Sequence, residues 1–225
     1  FICSKRSDKL RGRILLVISH PDDECMFFGP AILKLLANHE VFVLCFSVGD
    51  AYGLGNVREK ELLSALQYLG VNIANVSIIN DSRFKDGMDE KWNINSVSNI
   101  IEQLVIAKQI GTIVTFDKKG ITNHANHISV YEGARNLRST EKVDLFVLDS
   151  VNVFRKFLSI LEIPLLFMDF SRVNKEKKVF VLTFSEYQRL LTALRKHSSQ
   201  MVWFRILYSY FSRYMFINTL SRVNI

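Results

Sequence analysis

Several features are scarce in this sequence, and each scarcity excludes a class of protein. The 225 residues contain three cysteines, which are too few and odd in number for a disulfide framework, so a reducing compartment is expected. Nowhere do about 18 apolar residues follow one another, so no stretch is long enough to cross a bilayer as a helix. No GxGxxG fingerprint follows the first predicted strand, which argues against a dinucleotide-binding enzyme.

Charge is present in both signs but is distributed unevenly. Residues 171–225 hold ten Lys or Arg against two Asp or Glu, and the whole chain has a formal net charge of +7. A basic C-terminal quarter on a nearly neutral body favours an anionic surface or substrate as partner; a solvated basic face without a partner is the alternative. Hydrophobic residues make up 48% of the chain, enough for one substantial core.

Apolar runs and helical patterns alternate along the first two thirds of the chain. Five apolar runs are typical of buried strands, over residues 13–19, 41–47, 76–79, 112–116 and 145–148. Helices are predicted between them, over residues 25–36, 57–69, 97–110 and 124–138. This alternation predicts an α/β fold, a Rossmann-like doubly wound and mostly parallel sheet with helices on both faces. The expected strand order is 3-2-1-4-5.

The densest group of reactive side chains is His20-Pro21-Asp22-Asp23-Glu24, directly after the first predicted strand. Pro21 disfavours helical geometry at His20, so the chain should turn sharply there. In an α/β sheet such a turn faces the crevice where ligands bind. An acidic helix N-terminus is the alternative, but it explains one acid better than three acids beside a histidine.

A second cluster, His124 and His127, follows the fourth predicted strand. The two histidines share a helix face if the helix has begun there. Strands 1 and 4 are neighbours in the expected order, so the two clusters should meet where the crossover direction changes. Two histidines and a carboxylate make an open catalytic metal site; structural histidines are the alternative. Zn²⁺ is the preferred metal, although the same ligands suit Fe²⁺.

These motifs resemble the LmbE/PIG-L family of metal-dependent de-N-acetylases. Besides residues 18–24 and His124-x-x-His127, the resemblance extends to shorter motifs, among them Cys45-Phe46-Ser47, Arg58-Glu59-Lys60-Glu61, Trp203-Phe204-Arg205 and Ser212-Arg213-Tyr214-Met215. It spans residues 13–220 and is strongest toward the eukaryotic PIG-L branch. That branch removes the acetyl group from N-acetylglucosaminylphosphatidylinositol in GPI-anchor biosynthesis.

The resemblance implies roles for six residues. It assigns three metal ligands, at His20, Asp23 and His127. It makes Asp22 the general base, His124 the group that stabilises the tetrahedral oxyanion, and Arg58 a substrate-binding residue. Many bacterial relatives have an acid where this chain has Asn126, so the protonation state of His124 stays open.

The implied reaction is metal-dependent hydrolysis of an acetamide on a membrane glycolipid, at the cytosolic face of the endoplasmic reticulum. The expected partners are this glycolipid and the membrane surface, with no nucleic acid. One alternative is a soluble de-N-acetylase of a small amino sugar, which would be expected to lack a basic aromatic tail. The other is a non-catalytic phosphoinositide-binding module, which need not keep the acids and histidines together.

Three segments are predicted: a basic N-terminal flank over residues 1–12, a catalytic domain over 13–198, and a basic aromatic segment over 199–225. The flank fits either the stub of a membrane anchor or a simple fragment start. Residues 203–216 include seven aromatic side chains. At about 100° per residue the polar ones fall within one arc, formed by Arg205, Ser209, Ser212 and Arg213. A helix lying in a membrane interface fits this pattern, and so does a helix packed on the sheet with one polar stripe.

Overall fold

A seven-stranded sheet forms the centre of the computed structural model, which describes residues 10–138, 142–164 and 177–224. The strands are β1 (Arg13–Ile18), β2 (Val41–Cys45), β3 (Val76–Ile78), β4 (Ile110–Phe116), β5 (Asp144–Leu148), β6 (Lys177–Val181) and β7 (Ile217–Val223). Their order is β3-β2-β1-β4-β5-β7-β6. The pairs among β1 to β5 are parallel, whereas β7 is antiparallel to both β5 and β6. The predicted order of the first five strands and the Rossmann-like fold class are confirmed.

Nine helices are described: α1 (Asp23–Met26), α2 (Gly29–Leu35), α3 (Gly55–Leu69), α4 (Ile94–Lys108), α5 (Gly120–Asn123), α6 (Ala125–Arg135), α7 (Val153–Lys156), α8 (Phe184–Leu194) and α9 (Trp203–Phe211). Side chains alternate across β1, so Ile14, Leu16 and Ile18 pack with α2, α3 and α8, whereas Leu15 and Val17 pack with α4 and α6. Both faces of the sheet are therefore covered, as expected for buried parallel strands.

Two of the differences between the predicted and the observed helices have a clear local reason. The helix expected over residues 25–36 is two helices, because Pro30 stands in the first turn of α2, where its ring starts a helix rather than continuing one. The helix expected to stop at Gly111 ends two residues earlier, where Gln109 adopts a left-handed φ of 52°. Gly111 lies in β4, and a Cβ there would be 2.4 Å from the Arg11 carbonyl oxygen.

The C-terminal segment 199–225 contributes both to the sheet and to the surface. Its last described element, β7, lies between β5 and β6, whereas α9 carries exposed side chains. Of the predicted flank 1–12, residues 1–9 lie outside the described part of the chain. Within the described residues, none of the helices has the length and hydropathy required to traverse a bilayer.

Candidate active site

The turn after β1 holds its acidic side chains in a strained backbone. Asp22 has a φ of 109°, in the region that residues with a Cβ rarely adopt. Its amide donates to Glu24 Oε2 at 3.0 Å. Asp23 Oδ2 accepts from the amides of Ser19 and His20 at 3.0 and 2.9 Å. These bonds fix the Asp23 carboxylate at the carboxyl end of β1.

Both sequence clusters meet at this turn, as the strand order predicts. His127 Nε2 lies 3.3 Å from Asp23 Oδ1, and His20 Nδ1 lies 3.8 Å from Asp23 Oδ2. One ligand atom from each of the three side chains fits within 4.8 Å of the others, and all three residues are buried. Burial alone would raise the pKa of Asp23, but His127 and His20 together, through their fields and hydrogen bonds, outweigh it and lower the pKa far below its usual value.

The tautomer of His127 is set by Gly120, the first residue of α5. Its Nδ1 donates to the Gly120 carbonyl oxygen at 3.0 Å, and the ring stacks on Phe116 at 3.9 Å. Its Nε2 is buried and has no hydrogen-bond partner among the described residues. Gly120 has a φ of +55°, and a Cβ there would be 2.8 Å from the His127 Cβ. An orphaned ring nitrogen beside a carboxylate, with the other nitrogen donating to a carbonyl, is the arrangement of a metal-binding histidine.

His20 is oriented by an amide, with an acid close to the same ring nitrogen. Its Nε2 donates to Asn126 Oδ1 at 2.8 Å and lies 3.2 Å from Asp86 Oδ1. Asn126 Oδ1 also accepts from the Gly87 amide, and its Nδ2 donates to the Glu90 carbonyl oxygen. The proton on Nε2 leaves the lone pair on Nδ1, which faces Asp23. The three side chains therefore fit a divalent metal ion.

His124 lies beside this cluster and is held by the start of α6. It caps the helix, with its Nδ1 accepting from the Asn126 amide at 3.2 Å. Its ring centroid is 4.9 Å from that of His20 and 4.7 Å from that of His127. Burial, reinforced by the positive field of these two histidines, lowers the pKa of His124 to about 4. The ring is therefore neutral near pH 7, with its proton on Nε2.

Asp22 lies between two arginines. Arg205 of α9 binds Asp22 Oδ2 through Nη1, and Arg58 Nη2 is 3.8 Å from the same oxygen. Burial raises the pKa of Asp22 above its usual value; Arg205 opposes the shift and Asp23 supports it. Arg58 also donates to the Pro21 carbonyl oxygen at 2.9 Å and to Asp86 Oδ2 at 3.0 Å.

All six site residues named from the sequence thus lie together, but the sequence reasoning missed three residues around them. Asp86 comes from the loop before α4 and joins His20 and His124 in a second group of potential ligand atoms. A cavity of about 420 Å³ opens beside it. Sequence reasoning places Arg205 in the polar stripe of residues 203–216 and in the motif Trp203-Phe204-Arg205 but gives it no role at the site, and it does not single out His197, which contacts Glu24. No local motif marks Asp86 or His197.

The surface next to Arg205 is apolar. On α9 the polar stripe faces the protein, since Ser209 and Ser212 are buried. The outer face is large and hydrophobic, with exposed Trp203, Phe204, Leu207, Tyr210 and Phe211. The exposed Val153, Phe154 and Phe157 lie on or beside α7, and this helix approaches α9, because Lys156 Nζ is 5.8 Å from the Tyr208 ring centroid. We call these eight exposed side chains the aromatic surface.

Comparison with solved structures agrees with the observed fold. The zinc-inhibited form of teicoplanin deacetylase Orf2 superposes with a TM-score of 0.64 at 15% sequence identity, covering 93% of this chain and 97% of that one. The N,N'-diacetylchitobiose deacetylase from Pyrococcus horikoshii gives a TM-score of 0.61 at 16% identity, covering 94% of this chain and 83% of that one. At these identities the similarity shows a shared fold.

Sequence comparison shows the family. The chain is 45% identical to a probable N-acetylglucosaminyl-phosphatidylinositol de-N-acetylase of Schizosaccharomyces pombe, over 93% of this chain and 86% of the relative. It is 41% identical to the N-acetylglucosaminyl-phosphatidylinositol de-N-acetylase of Bos taurus, over 93% and 83%. A family model for GlcNAc-PI de-N-acetylases matches residues 15–137. With its two histidine clusters joined at one carboxylate, the chain belongs to the PIG-L family of GlcNAc-PI de-N-acetylases.

Proposed function

We propose that this protein is a zinc-dependent amide hydrolase that converts N-acetylglucosaminylphosphatidylinositol to glucosaminylphosphatidylinositol and acetate in GPI-anchor biosynthesis. The observation that carries the proposal is the orphaned Nε2 of His127 beside Asp23, next to a further carboxylate, Asp22, in a chain 45% identical to a relative of that name. A phosphoinositide-binding module would not need such a group of donors.

The metal ligands in this proposal are His20, Asp23 and His127. Two neutral imidazoles and one carboxylate match the donors that catalytic zinc uses. Zinc bound there supplies Lewis-acid polarisation of the acetamide carbonyl and eases deprotonation of a water molecule.

The remaining chemistry falls to residues of the chain itself. Asp22 accepts a proton from the attacking water and returns it to the leaving amine nitrogen, so that the C–N bond breaks as acetate forms. Neutral His124 donates its Nε2 proton as a hydrogen bond to the oxyanion; its occupied Nδ1 fixes that tautomer. Arg58 binds substrate at the crevice edge, where it also holds Asp86 in place.

The aromatic surface supports a place at the membrane. A patch of exposed aromatic and aliphatic side chains marks an interaction site, and rings such as Trp203 favour the depth of lipid headgroups. The lipid substrate keeps its acyl chains in a bilayer, and positive charges near an anionic leaflet add about 1 kcal/mol each. We therefore propose that the enzyme works at the cytosolic face of the endoplasmic reticulum membrane.

The test is acetate release from N-acetylglucosaminylphosphatidylinositol in mixed micelles. Turnover should stop when a chelator removes the metal and return when Zn²⁺ is added back in slight excess. A parallel reaction uses free N-acetylglucosamine, which a soluble amino-sugar de-N-acetylase would prefer. The proposal is wrong if the lipid substrate gives no acetate, or if the free sugar is the better substrate.

A further inference from the structure

Arg205 binds one oxygen of the Asp22 carboxylate, the group that the proposed reaction requires as a base. Its Nη1 binds Asp22 Oδ2, and the two residues are 183 positions apart in the chain. The same nitrogen is 3.5 Å from Gln200 Oε1, at the limit of a hydrogen bond. The Arg205 side chain is 22% exposed to solvent, whereas the Asp22 side chain is 7% exposed. The guanidinium therefore forms the outer wall of the site and can be reached from solvent.

Asp22 does not depend on Arg205 for a positive neighbour. Arg58 lies 3.8 Å from the same oxygen, and three of its hydrogen bonds to the chain hold it in place. Arg58 is fixed, whereas Arg205 is tied to the site through one nitrogen. Its contact to Asp22 Oδ2 can be exchanged for a contact to another anion, which would free the oxygen that Arg205 now engages.

The helix that carries Arg205 points to the source of that anion. Arg205 lies on α9, whose outer face belongs to the aromatic surface. The sugar is the end of this lipid farthest from its acyl chains, so a sugar that has entered the crevice from that side leaves its phosphodiester behind it, on the side of α9. Arginine is well suited to this task, because its planar fork matches two phosphate oxygens at once.

We propose that Arg205 recognises the phosphodiester of the substrate and, in turning to it, releases the Asp22 carboxylate. This inference rests on the proposed function and adds a residue that selects substrates with an anionic group beyond the sugar. Binding of the lipid phosphodiester and release of the Asp22 carboxylate would therefore occur together.

The experiment compares two substrates, N-acetylglucosaminylphosphatidylinositol and the neutral N-acetylglucosaminylinositol, which lacks the phosphodiester. In Arg205→Gln the ratio of kcat/KM for the lipid to kcat/KM for the neutral compound should fall about tenfold or more, mainly through KM, because one charge-assisted contact is lost. Arg205→Lys should recover part of the ratio. The matched control is Arg195→Gln, which removes an exposed charge beyond α8 and should leave the ratio unchanged.

Two further measurements separate a headgroup phosphodiester from a charged bilayer. Soluble glycerophosphoinositol should inhibit turnover of the neutral substrate in the wild type, with an inhibition constant about tenfold higher in Arg205→Gln. Binding to phosphatidylserine vesicles should be equal in both proteins. An unchanged substrate ratio or inhibition constant overturns the inference, as does loss of vesicle binding in step with the ratio. If the wild type releases no acetate from the lipid, the proposed function itself fails.

Discussion

His197 Nε2 lies 2.5 Å from Glu24 Oε1, and both side chains are completely buried. The other oxygen of Glu24 accepts from the Asp22 amide. The His197–Glu24 pair therefore supports the strained turn at Asp22 from the side of the core. Burial alone would lower the pKa of His197, but Glu24 outweighs it and raises the pKa above its usual value of 6.5. The pair therefore connects the segment before α9 to the backbone of the site.

Replacing His197 should destabilise the fold in a pH-dependent way. His197→Gln leaves Glu24 buried without its partner, which costs about 3–5 kcal/mol of unfolding free energy. Because the folded pKa is raised, the contribution of protonated His197 is complete below about pH 6.5 and is lost as pH rises through the folded pKa. Urea unfolding at a series of pH values should show the gap to wild type narrowing toward alkaline pH. His39→Gln, at a surface histidine, is the control. A difference in unfolding free energy between His197→Gln and wild type that does not change with pH would show that His197 is not charged in the pair.

Substitutions of the adjacent Asp22 and Asp23 should distinguish the general base from the metal ligand. Asp22→Asn should keep the metal and reduce turnover by about 10²–10⁴, the usual loss when a general base is removed. Asp23→Ala should lose the metal, because its carboxylate lies between the two ligand histidines. Bound zinc measured beside activity decides the point, and metal loss in Asp22→Asn would show that the roles are assigned wrongly.

Substitutions of His124 and His127, at the start of α6, should distinguish the oxyanion-stabilising residue from the metal ligand. His127→Ala should lower metal content, whereas His124→Ala should keep it near normal and reduce kcat by about 10²–10³ with little change in KM, because an oxyanion contact forms mainly in the transition state. His124 is already neutral at neutral pH, so kcat should not fall between about pH 6 and 8 through loss of a His124 proton. Equal metal loss in the two variants would make His124 a ligand.

The aromatic surface calls for point substitutions rather than truncation. Cutting the chain at Ser198 would remove β7 from between β5 and β6 and unfold the sheet. Trp203→Ser with Phe204→Ser removes two exposed rings, each worth about 1.5–3 kcal/mol when buried. Binding to anionic vesicles should weaken at least tenfold, with little change in melting temperature. Ile106→Ser, at an exposed position on α4, is the control, and undiminished vesicle binding in the double variant would exclude this surface.

The parallel half of the fold was predictable because its strands carry their own signal. Residues of β1, β2 and β5 are buried almost throughout, so these strands read as continuous apolar runs. β7 has the sequence INTLSRV and mixes polar with apolar side chains. Its assignment depends on pairing with β5 and β6, which no local pattern encodes.

The site divides in the same way. His20, Asp23 and His127 were predictable because each follows a strand whose neighbour in the sheet was known. Asp86 lies in a polar loop, and Arg205 reaches the site only because α9 packs with its polar stripe inward. The sequence pattern predicts that α9 has a polar and an apolar side, but it does not indicate which side faces the protein.

The position of β7 has a consequence for biosynthesis. Among the described elements, the strand that emerges last from the ribosome fills a place inside the sheet, so β6 has no described strand to pair with until β7 arrives. Chains are made at about 5–20 residues per second, which leaves β6 unpaired for several seconds and open to chaperones. Nascent chains should therefore complete the sheet late, and a premature stop codon anywhere before Ile217 should be as damaging as one near the middle of the domain.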